Sequence, residues 1–158
     1  MYNQYLKVIP NKIGKGVFTT IKIPSNIPIM EITGDLFNGE NLPQHPAMLQ
    51  VAPNLFIGPS GGIDDEINHS CDPNCYLHIV GNRAILYSLY VILENTEITF
   101  DYSTSSTDNL DEWQMECKCG SINCRKIISG LQYVPQKTLE YFNKKNMLPL
   151  FIKEKMFK

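Results

Sequence analysis

Three cysteines near the C-terminus constrain the fold of this chain most strongly. Cys117, Cys119 and Cys124 follow the spacing C-x-C-x4-C. Gly120 and Ser121 between them allow a turn sharp enough for the thiols to converge on one ion. Structural zinc prefers a tetrahedral shell of four ligands, so three thiolates leave it incomplete. The fourth ligand therefore has to come from a distant segment of the chain.

Cys71 is the preferred fourth ligand. Pro73 keeps its segment irregular, whereas Cys75 opens an apolar strand in which a buried thiol behaves as a small hydrophobe. A closed shell of four sulfurs leaves no open position for a substrate, so the expected ion is structural zinc. Free or disulfide-bonded thiols are the less favoured alternative.

The composition indicates a single globular domain. The chain has 158 residues, of which 43% are hydrophobic, and this is enough for one core. No apolar run approaches the length of a membrane span, and the N-terminus lacks the layout of a signal peptide. We expect a soluble protein without a membrane partner, intracellular and cytoplasmic by default, with a secreted effector or a host-nuclear protein as open alternatives.

Charge is distributed unevenly along the chain. Residues 137–158 hold six lysines and two glutamates, whereas the rest of the chain is acidic. An acidic body disfavours direct binding of nucleic acid, which needs a basic footprint, and suits a lysine-bearing partner. An ordinary solvated surface is the equally weighted alternative.

Short segments rich in Ile, Val, Phe and Tyr alternate with Gly, Pro and Asn. This pattern predicts a mostly β body with strands at 6–9, 17–21, 27–32, 49–51, 55–57, 75–80, 83–88 and 98–102. Gly81 and Asn82 predict a two-residue hairpin, although Asn-Gly is the commoner order. Pro135, Leu139 and Phe142 predict one helix near the C-terminus that packs its apolar side on the body.

Three motifs occur in a fixed order along the chain. They are Asn-His-Ser-Cys-Asp-Pro-Asn at 68–74, Glu-Ile-Thr-Phe-Asp-Tyr at 97–102, and Cys-Lys-Cys-Gly-Ser-Ile-Asn-Cys-Arg at 117–125. Together with Gly-Lys-Gly-Val-Phe at 14–18, they resemble the SET-domain protein lysine methyltransferases that carry a post-SET zinc module. The length is most similar to that of compact stand-alone members from bacteria and viruses.

The resemblance implies a SET fold, which is mostly β with small, β-clip-like twisted sheets. In this fold the strand of Tyr102 passes under the loop near Asn68 as a pseudoknot, and a post-SET zinc loop and a C-terminal helix follow. The implied divisions are a SET domain at 1–114, a post-SET zinc module at 115–131 and a C-terminal helical tail at 132–158.

The resemblance also implies S-adenosylmethionine-dependent methyl transfer to a lysine amine. The partner would be a protein or peptide with an accessible lysine, with histones among the candidates, and the product S-adenosylhomocysteine. Tyr102 matches the catalytic tyrosine, whose hydroxyl lies beside the transferring methyl group. Phe100 shares its strand face and favours the addition of two or three methyl groups. Tyr87 is a candidate wall of the lysine channel.

Cofactor contacts implied by the resemblance fall on Lys15, Gly16, Asn68, His69 and Leu131. The backbone of Lys15 and Gly16 would approach the methionine end, because a glycine permits close contact with a ligand. Asn68 and His69 would meet the adenosine. Either Ile128 or Leu131 would cover the adenine, and Leu131 is included in the candidate site.

Two positions depart from the family pattern. Ile32 stands where many members have a tyrosine before the first glycine, and Asp65 stands where many have a basic residue that contacts the cofactor carboxylate. Neither change removes a group that the chemistry strictly requires. The alternative functions are a catalytically silent SET module that binds a lysine-bearing partner, and a zinc-stapled scaffold or nucleic-acid protein.

Overall fold

A computed structural model describes residues 1–43, 45–106 and 113–156 of the chain. The described residues form short strands joined by turns, with two helices at the C-terminal end. The strands are β1 (Leu6–Asn11), β2 (Gly14–Thr19), β3 (Pro28–Ile32), β4 (Leu36–Asn38), β5 (Leu49–Ala52), β6 (Leu55–Ile57), β7 (Asn68–His69), β8 (Cys75–Val80), β9 (Arg83–Ser88), β10 (Thr99–Phe100), β11 (Gln114–Glu116) and β12 (Ile127–Ser129). The helices are α1 (Gln136–Lys144) and α2 (Leu150–Met156).

The strands form several small sheets, as the SET resemblance implies. Antiparallel sheets have the orders β1-β2, β3-β9-β8, β4-β6-β5 and β11-β12. β7 and β10 pair in parallel, with Asn68 opposite Thr99 and His69 opposite Phe100. This parallel pair brings the first two motifs side by side, which agrees with the expected passage of the Tyr102 strand beside the loop near Asn68.

The main core lies between the small sheets. Its fully buried side chains are contributed by β2, β3, β5, β8 and β9 and by the segments around Ile23, Ile92 and Ile98. Alternating burial on β8, where Cys75 and Leu77 point inward, is the period-two pattern of a half-buried strand. In the described part of the chain, no helix has the length and apolar content that a membrane crossing needs.

The predicted hairpin between β8 and β9 is confirmed to the residue. Val80 pairs with Arg83, so Gly81 and Asn82 are the two turn residues. Gly81 has a φ of 61°, whereas Asn82 is not among the residues with positive φ. A positive φ at the first turn position alone is typical of a type II′ turn, which explains the order Gly-Asn.

The C-terminal tail contains two helices, whereas the sequence predicted one. Leu139 and Phe142 on α1 are buried as predicted, and they join Leu131, Met147 and Ile152 in a second apolar cluster. α2 begins directly after Pro149. Its seven residues make about two helical turns, too few to show a periodic pattern in the sequence.

Candidate active site and metal centre

Four cysteines meet in one cluster. The Sγ atoms of Cys71, Cys117, Cys119 and Cys124 all lie within 4.8 Å of one another, and those of Cys71 and Cys117 are 3.7 Å apart. A tetrahedron with zinc–sulfur bonds of about 2.3 Å has edges of about 3.8 Å. The four thiols therefore fit a tetrahedral zinc ion, and Cys75 lies outside the cluster.

Local turns bring the three C-terminal cysteines together. Gly120 has a φ of 70°, which a side chain would disfavour, and the Cys124 N–H donates to the Ser121 carbonyl at 3.1 Å. Burial opposes ionisation of the Cys119 thiol, yet backbone N–H donors at Cys71 and Ser121 outweigh it and lower the pKa to about 6. Because metals bind the thiolate, this lowered pKa favours coordination by Cys119.

His69 connects the cysteine cluster with Tyr102. The Tyr102 backbone N–H donates to His69 Nδ1 at 3.2 Å, so Nδ1 carries no proton and Nε2–H faces Cys71 Sγ at 3.2 Å. Burial lowers the pKa of His69 to about 4, even though the charge of Asp101 opposes this shift. The imidazole is therefore neutral at pH 7, and its tautomer is set by its two neighbours.

A buried ion pair attaches the cysteine module to the strand of Tyr102. Asp101 is fully buried, and its carboxylate accepts two hydrogen bonds from Arg125, at 2.6 and 2.8 Å. The Arg125 backbone N–H also donates to Cys71 Sγ at 3.3 Å. This pair is not among the residues predicted from the sequence, although both members lie inside the motifs. Their opposite charges, directly before Tyr102 and directly after Cys124, were the available signal.

A cavity of about 270 Å³ lies between the SET core and the cysteine module. The core contributes Ile13, Asn68, His69 and Tyr102, and the module contributes residues 115–119 and Ile128. Its volume is near the lower end of the roughly 300–1,000 Å³ typical of small-molecule sites. A larger groove of about 540 Å³ between β8 and α2 contains none of the predicted site residues.

The predicted cofactor residues divide into two groups. Asn68 and His69 line the cavity, whereas Lys15 and Gly16 do not line it; they adjoin it through Asn68, whose Nδ2 donates to the Lys15 carbonyl at 2.6 Å. Leu131 is fully buried in the C-terminal cluster, whereas Ile128 lines the cavity. Ile128 is also buried, so the two residues differ in their contact with the cavity and not in exposure. The covering of the adenine by either residue stays a prediction.

Aromatic rings gather around Tyr102. The ring centroids of Phe100 and His69 lie 4.9 and 5.3 Å from that of Tyr102. The Tyr87 ring instead packs against Tyr76 and His78 on the sheet of β8 and β9. Within the described part of the chain, Tyr87 makes no ring contact with Tyr102, so its role in the lysine channel stays a prediction.

Asp65 has a structural role in its own loop. Its carboxylate accepts hydrogen bonds from the backbone N–H groups of Ser60 and Gly61, at 3.1 and 2.7 Å. These bonds stabilise the turn that precedes the 3₁₀ helix Ile63–Glu66. The departure from the family pattern at this position therefore has a local physical reason.

The SET domain family model matches residues 14–103 of the chain, which is more than half of its 158 residues. The chain belongs to the SET domain family. The predicted domain boundaries at 114 and 131 stay predictions, as does the division of the tail, whose last two residues lie outside the described part.

The chain is similar in sequence to proteins named as histone-lysine methyltransferases. It is 28% identical over 145 residues to the histone-lysine N-methyltransferase trithorax of Drosophila virilis, covering 81% of this chain and 4% of that protein. It is 37% identical over 73 residues to the H3 lysine-4 specific histone-lysine N-methyltransferase of Eremothecium gossypii, covering 44% of this chain and 7% of that protein. The chain thus spans a small part of these relatives.

The fold is also similar to that of KRYPTONITE, solved in complex with mCHH DNA, an H3(1–15) peptide and SAH. The TM-score is 0.64 at 25% identity, and the match covers 77% of this chain and 29% of that one. A second KRYPTONITE structure, with mCHG DNA and SAH, gives a TM-score of 0.65 at 28% identity and covers 77% of this chain and 28% of that one.

Proposed function

We propose that the protein transfers a methyl group from S-adenosylmethionine to a lysine side-chain amine of a protein or peptide. The observation that carries this proposal is the meeting of Asn68, His69 and Tyr102 in one cavity beside the four-cysteine cluster. The cavity residues and the cysteines come from the three motifs, which are distant in sequence and adjacent in the fold. Membership of the SET family and the SAH-bound neighbours support the same cofactor.

The cavity suits a nucleoside that also carries charged groups. Ile13 and Ile128 supply apolar surface for a flat base, and the Asn68 amide supplies a polar contact. Both ring nitrogens of His69 are engaged by Tyr102 and Cys71, so its ring lines the cavity as a wall. When bound, S-adenosylmethionine supplies a methyl group activated by the attached sulfonium. Because residues 115–119 close one side of the cavity, cofactor binding depends on the docking of the cysteine module.

Tyr102 positions the lysine amine and does not act as a base. Its hydroxyl donates to the Ile67 carbonyl at 2.6 Å, which leaves the lone pairs of the oxygen to accept from an amine N–H. Burial, followed by the charge of Glu97, raises the pKa of Tyr102 to about 12. The phenol therefore keeps its proton at neutral pH, and the hydroxyl acts through orientation.

The lysine must lose its proton before it attacks. Holding an amine of ordinary pKa neutral at pH 7 costs about 4.6 kcal/mol. An apolar aromatic environment formed by Phe100 and Tyr102, whose rings are 4.9 Å apart, disfavours the charged form and lowers this cost. A sulfonium nearby acts in the same direction, because like charges repel.

A zinc ion at Cys71, Cys117, Cys119 and Cys124 would be structural in this scheme, because four thiolates complete its shell. The substrate is proposed to be a basic protein. The related enzymes are named for histone lysine methylation, and one neighbouring structure contains a histone H3 peptide. The acidic body of this chain agrees with a lysine-rich substrate.

The test is an incubation with radiolabelled S-adenosylmethionine and either a histone mixture or a cell lysate. Wild type should label a protein band, and Tyr102→Phe should lose most of the label while still binding the cofactor. If wild type binds the cofactor but labels nothing in either mixture, the catalytically silent binding module becomes the better interpretation. If it does not bind the cofactor, the proposed function is wrong.

A further inference from the structure

The Glu97 carboxylate lies where three parts of the SET core meet. Its Oε1 atom accepts from Asn11 Nδ2 at 2.8 Å, at the end of β1, and from Asn68 Nδ2 at 2.7 Å, on β7. Its backbone pairs with Phe18 on β2 as an isolated bridge. One side chain thus joins segments that are 86 and 29 residues away in sequence.

These bonds determine which way the Asn68 amide points. Both of its partners, the Lys15 carbonyl and the Glu97 carboxylate, are acceptors, so the atom between them must be Nδ2 with both of its protons in use. Among the described residues, nothing donates to Asn68 Oδ1. Asn68 lines the cavity, so the group that it offers a ligand is an acceptor.

Asn11 is held in a similar way. Its Oδ1 atom accepts from the Ile13 backbone N–H at 3.0 Å, so its Nδ2 faces Glu97. Ile13 also lines the cavity. Through Asn11 and Asn68, the Glu97 carboxylate therefore holds two parts of the cavity wall without lining the cavity itself.

Gly16 has no room for a side chain because of this network. A Cβ atom at Gly16 would collide with Glu97 Oε1 and would come within 2.8 Å of both Asn11 Nδ2 and Asn68 Nδ2. The φ of Gly16 is not positive, so a left-handed backbone does not explain the glycine. The family resemblance implies that Gly16 is small because the cofactor approaches it, whereas the atoms that occupy the space belong to Glu97 and the two asparagines.

We propose that Glu97 is a positioning residue of the cofactor cavity. Through its contacts with the Asn11 and Asn68 amides, it orients Asn68 and the turn at Ile13. Residue 16 is a glycine because a side chain there would occupy the space of the Glu97 carboxylate. This proposal rests on the proposed function only for the identity of the ligand. The property of Glu97 that matters for this role is a side chain long enough to contact both the Asn11 and the Asn68 amide.

Two substitutions separate the effect of the side-chain length of Glu97 from the effect of its charge. Glu97→Gln keeps the full length and one acceptor oxygen but removes the charge, whereas Glu97→Asp keeps the charge and loses one methylene. Titration calorimetry with S-adenosylmethionine and S-adenosylhomocysteine should show Glu97→Gln within about threefold of wild type and Glu97→Asp weakened at least about tenfold. Glu94→Gln is the matched control and should bind as wild type does, because Glu94 is an exposed glutamate in the turn that precedes Glu97.

Kinetics on any lysine substrate of the wild type supply a second readout. Glu97→Asp should raise the KM for the cofactor, with kcat close to wild type at saturation, because Tyr102 is untouched. If Glu97→Asp binds normally, or if Glu97→Gln is the weaker variant, the positioning role is refuted. Equal thermal unfolding of the variants confirms that each compared protein is folded.

The orientation of Asn68 can be measured without a ligand. In NMR spectra of the wild type, the Asn68 side-chain amide protons should exchange with water more slowly than those of the exposed Asn82. Glu97→Asp should speed the exchange of the proton that faces residue 97, while the proton donated to the Lys15 carbonyl stays protected. Unchanged exchange of both protons would refute the proposal. If wild type binds neither ligand, the proposed function falls, while this measurement still decides the role of Glu97.

A double-mutant cycle tests the reason for Gly16. Gly16→Ala should weaken cofactor binding strongly in wild type and less in the Glu97→Ala background, where the colliding carboxylate is gone. Equal effects in both backgrounds would mean that Gly16 is small for the cofactor, and would overturn this part of the proposal.

Discussion

Replacing Arg125 with methionine should destabilise the protein by removing the partner of a buried carboxylate. The Asp101 side chain is fully buried, and that of Arg125 is 11% exposed. Breaking such a pair leaves an uncompensated charge, which costs about 3–5 kcal/mol. Asp101 keeps one hydrogen bond, from the Ser103 N–H at 3.0 Å, so we expect the lower end, about 3 kcal/mol.

For a chain of this size, about 3 kcal/mol corresponds to a fall in Tm of roughly 6–12 °C. Differential scanning fluorimetry and urea unfolding of the wild type, Arg125→Met, Asp101→Asn and the double mutant measure the loss and the coupling energy. The double mutant should be more stable than the sum of the single losses predicts, because it leaves no unpaired charge.

Arg83→Met is the matched control. Arg83 also makes two hydrogen bonds to one carboxylate, that of Glu31, at 2.7 and 2.9 Å, but its side chain is 60% exposed. Water screens exposed pairs, so Tm should not change measurably. Equal effects of Arg125→Met and Arg83→Met would refute the argument that burial makes the Asp101 pair important.

Three further predictions concern the metal, Tyr102 and Phe100. Chelation should remove about one zinc per chain and abolish methyl transfer while far-UV circular dichroism retains the β signal; full activity in a zinc-free sample would contradict this. The pKa of Tyr102 is raised to about 12, above the value of about 10 for an unfolded tyrosine. Its contribution to the free energy of unfolding is therefore complete below about pH 10 and is lost as the pH rises toward 12. In urea unfolding, Tyr102→Phe should remove that part of the decline in stability at alkaline pH. Mass spectrometry should find two or three methyl groups added by wild type and fewer by Phe100→Tyr; a monomethyl product from wild type would contradict this.

The local elements of the fold could be predicted largely from the sequence. The ends of β8 and β9 agree with the predicted strands at 75–80 and 83–88, because apolar alternation and turn residues act between near neighbours. β7, β10, β11 and β12 have two or three residues each, and such strands form through their partners. No local pattern specifies them, so β7, β11 and β12 were not predicted, and the strand predicted at 98–102 is longer than β10.

The candidate site likewise has a part that the sequence predicts and a part that needs the structure. The family motifs in the sequence pointed to Asn68, His69 and Tyr102, which line one cavity, and to the four cysteines, which form one cluster. Only the structure shows that Ile128 lines the cavity and that Leu131 does not, because both are apolar residues just after the last cysteine. The two residues belong to different apolar clusters: Leu131 packs with the C-terminal helices, and Ile128 packs with the cysteines.

The sequence by itself determined the chemical groups of this protein: four thiols that suit a zinc ion, the tyrosine proposed for methyl transfer and the order of the three motifs. Only the tertiary structure decided the supporting contacts, in which Arg125 meets Asp101 and Glu97 lies over Gly16. The physical reason is that a residue type specifies what it can bind, whereas its partner depends on how distant segments pack. A buried charge or an absent side chain acquires its meaning only when the atoms around it are in place.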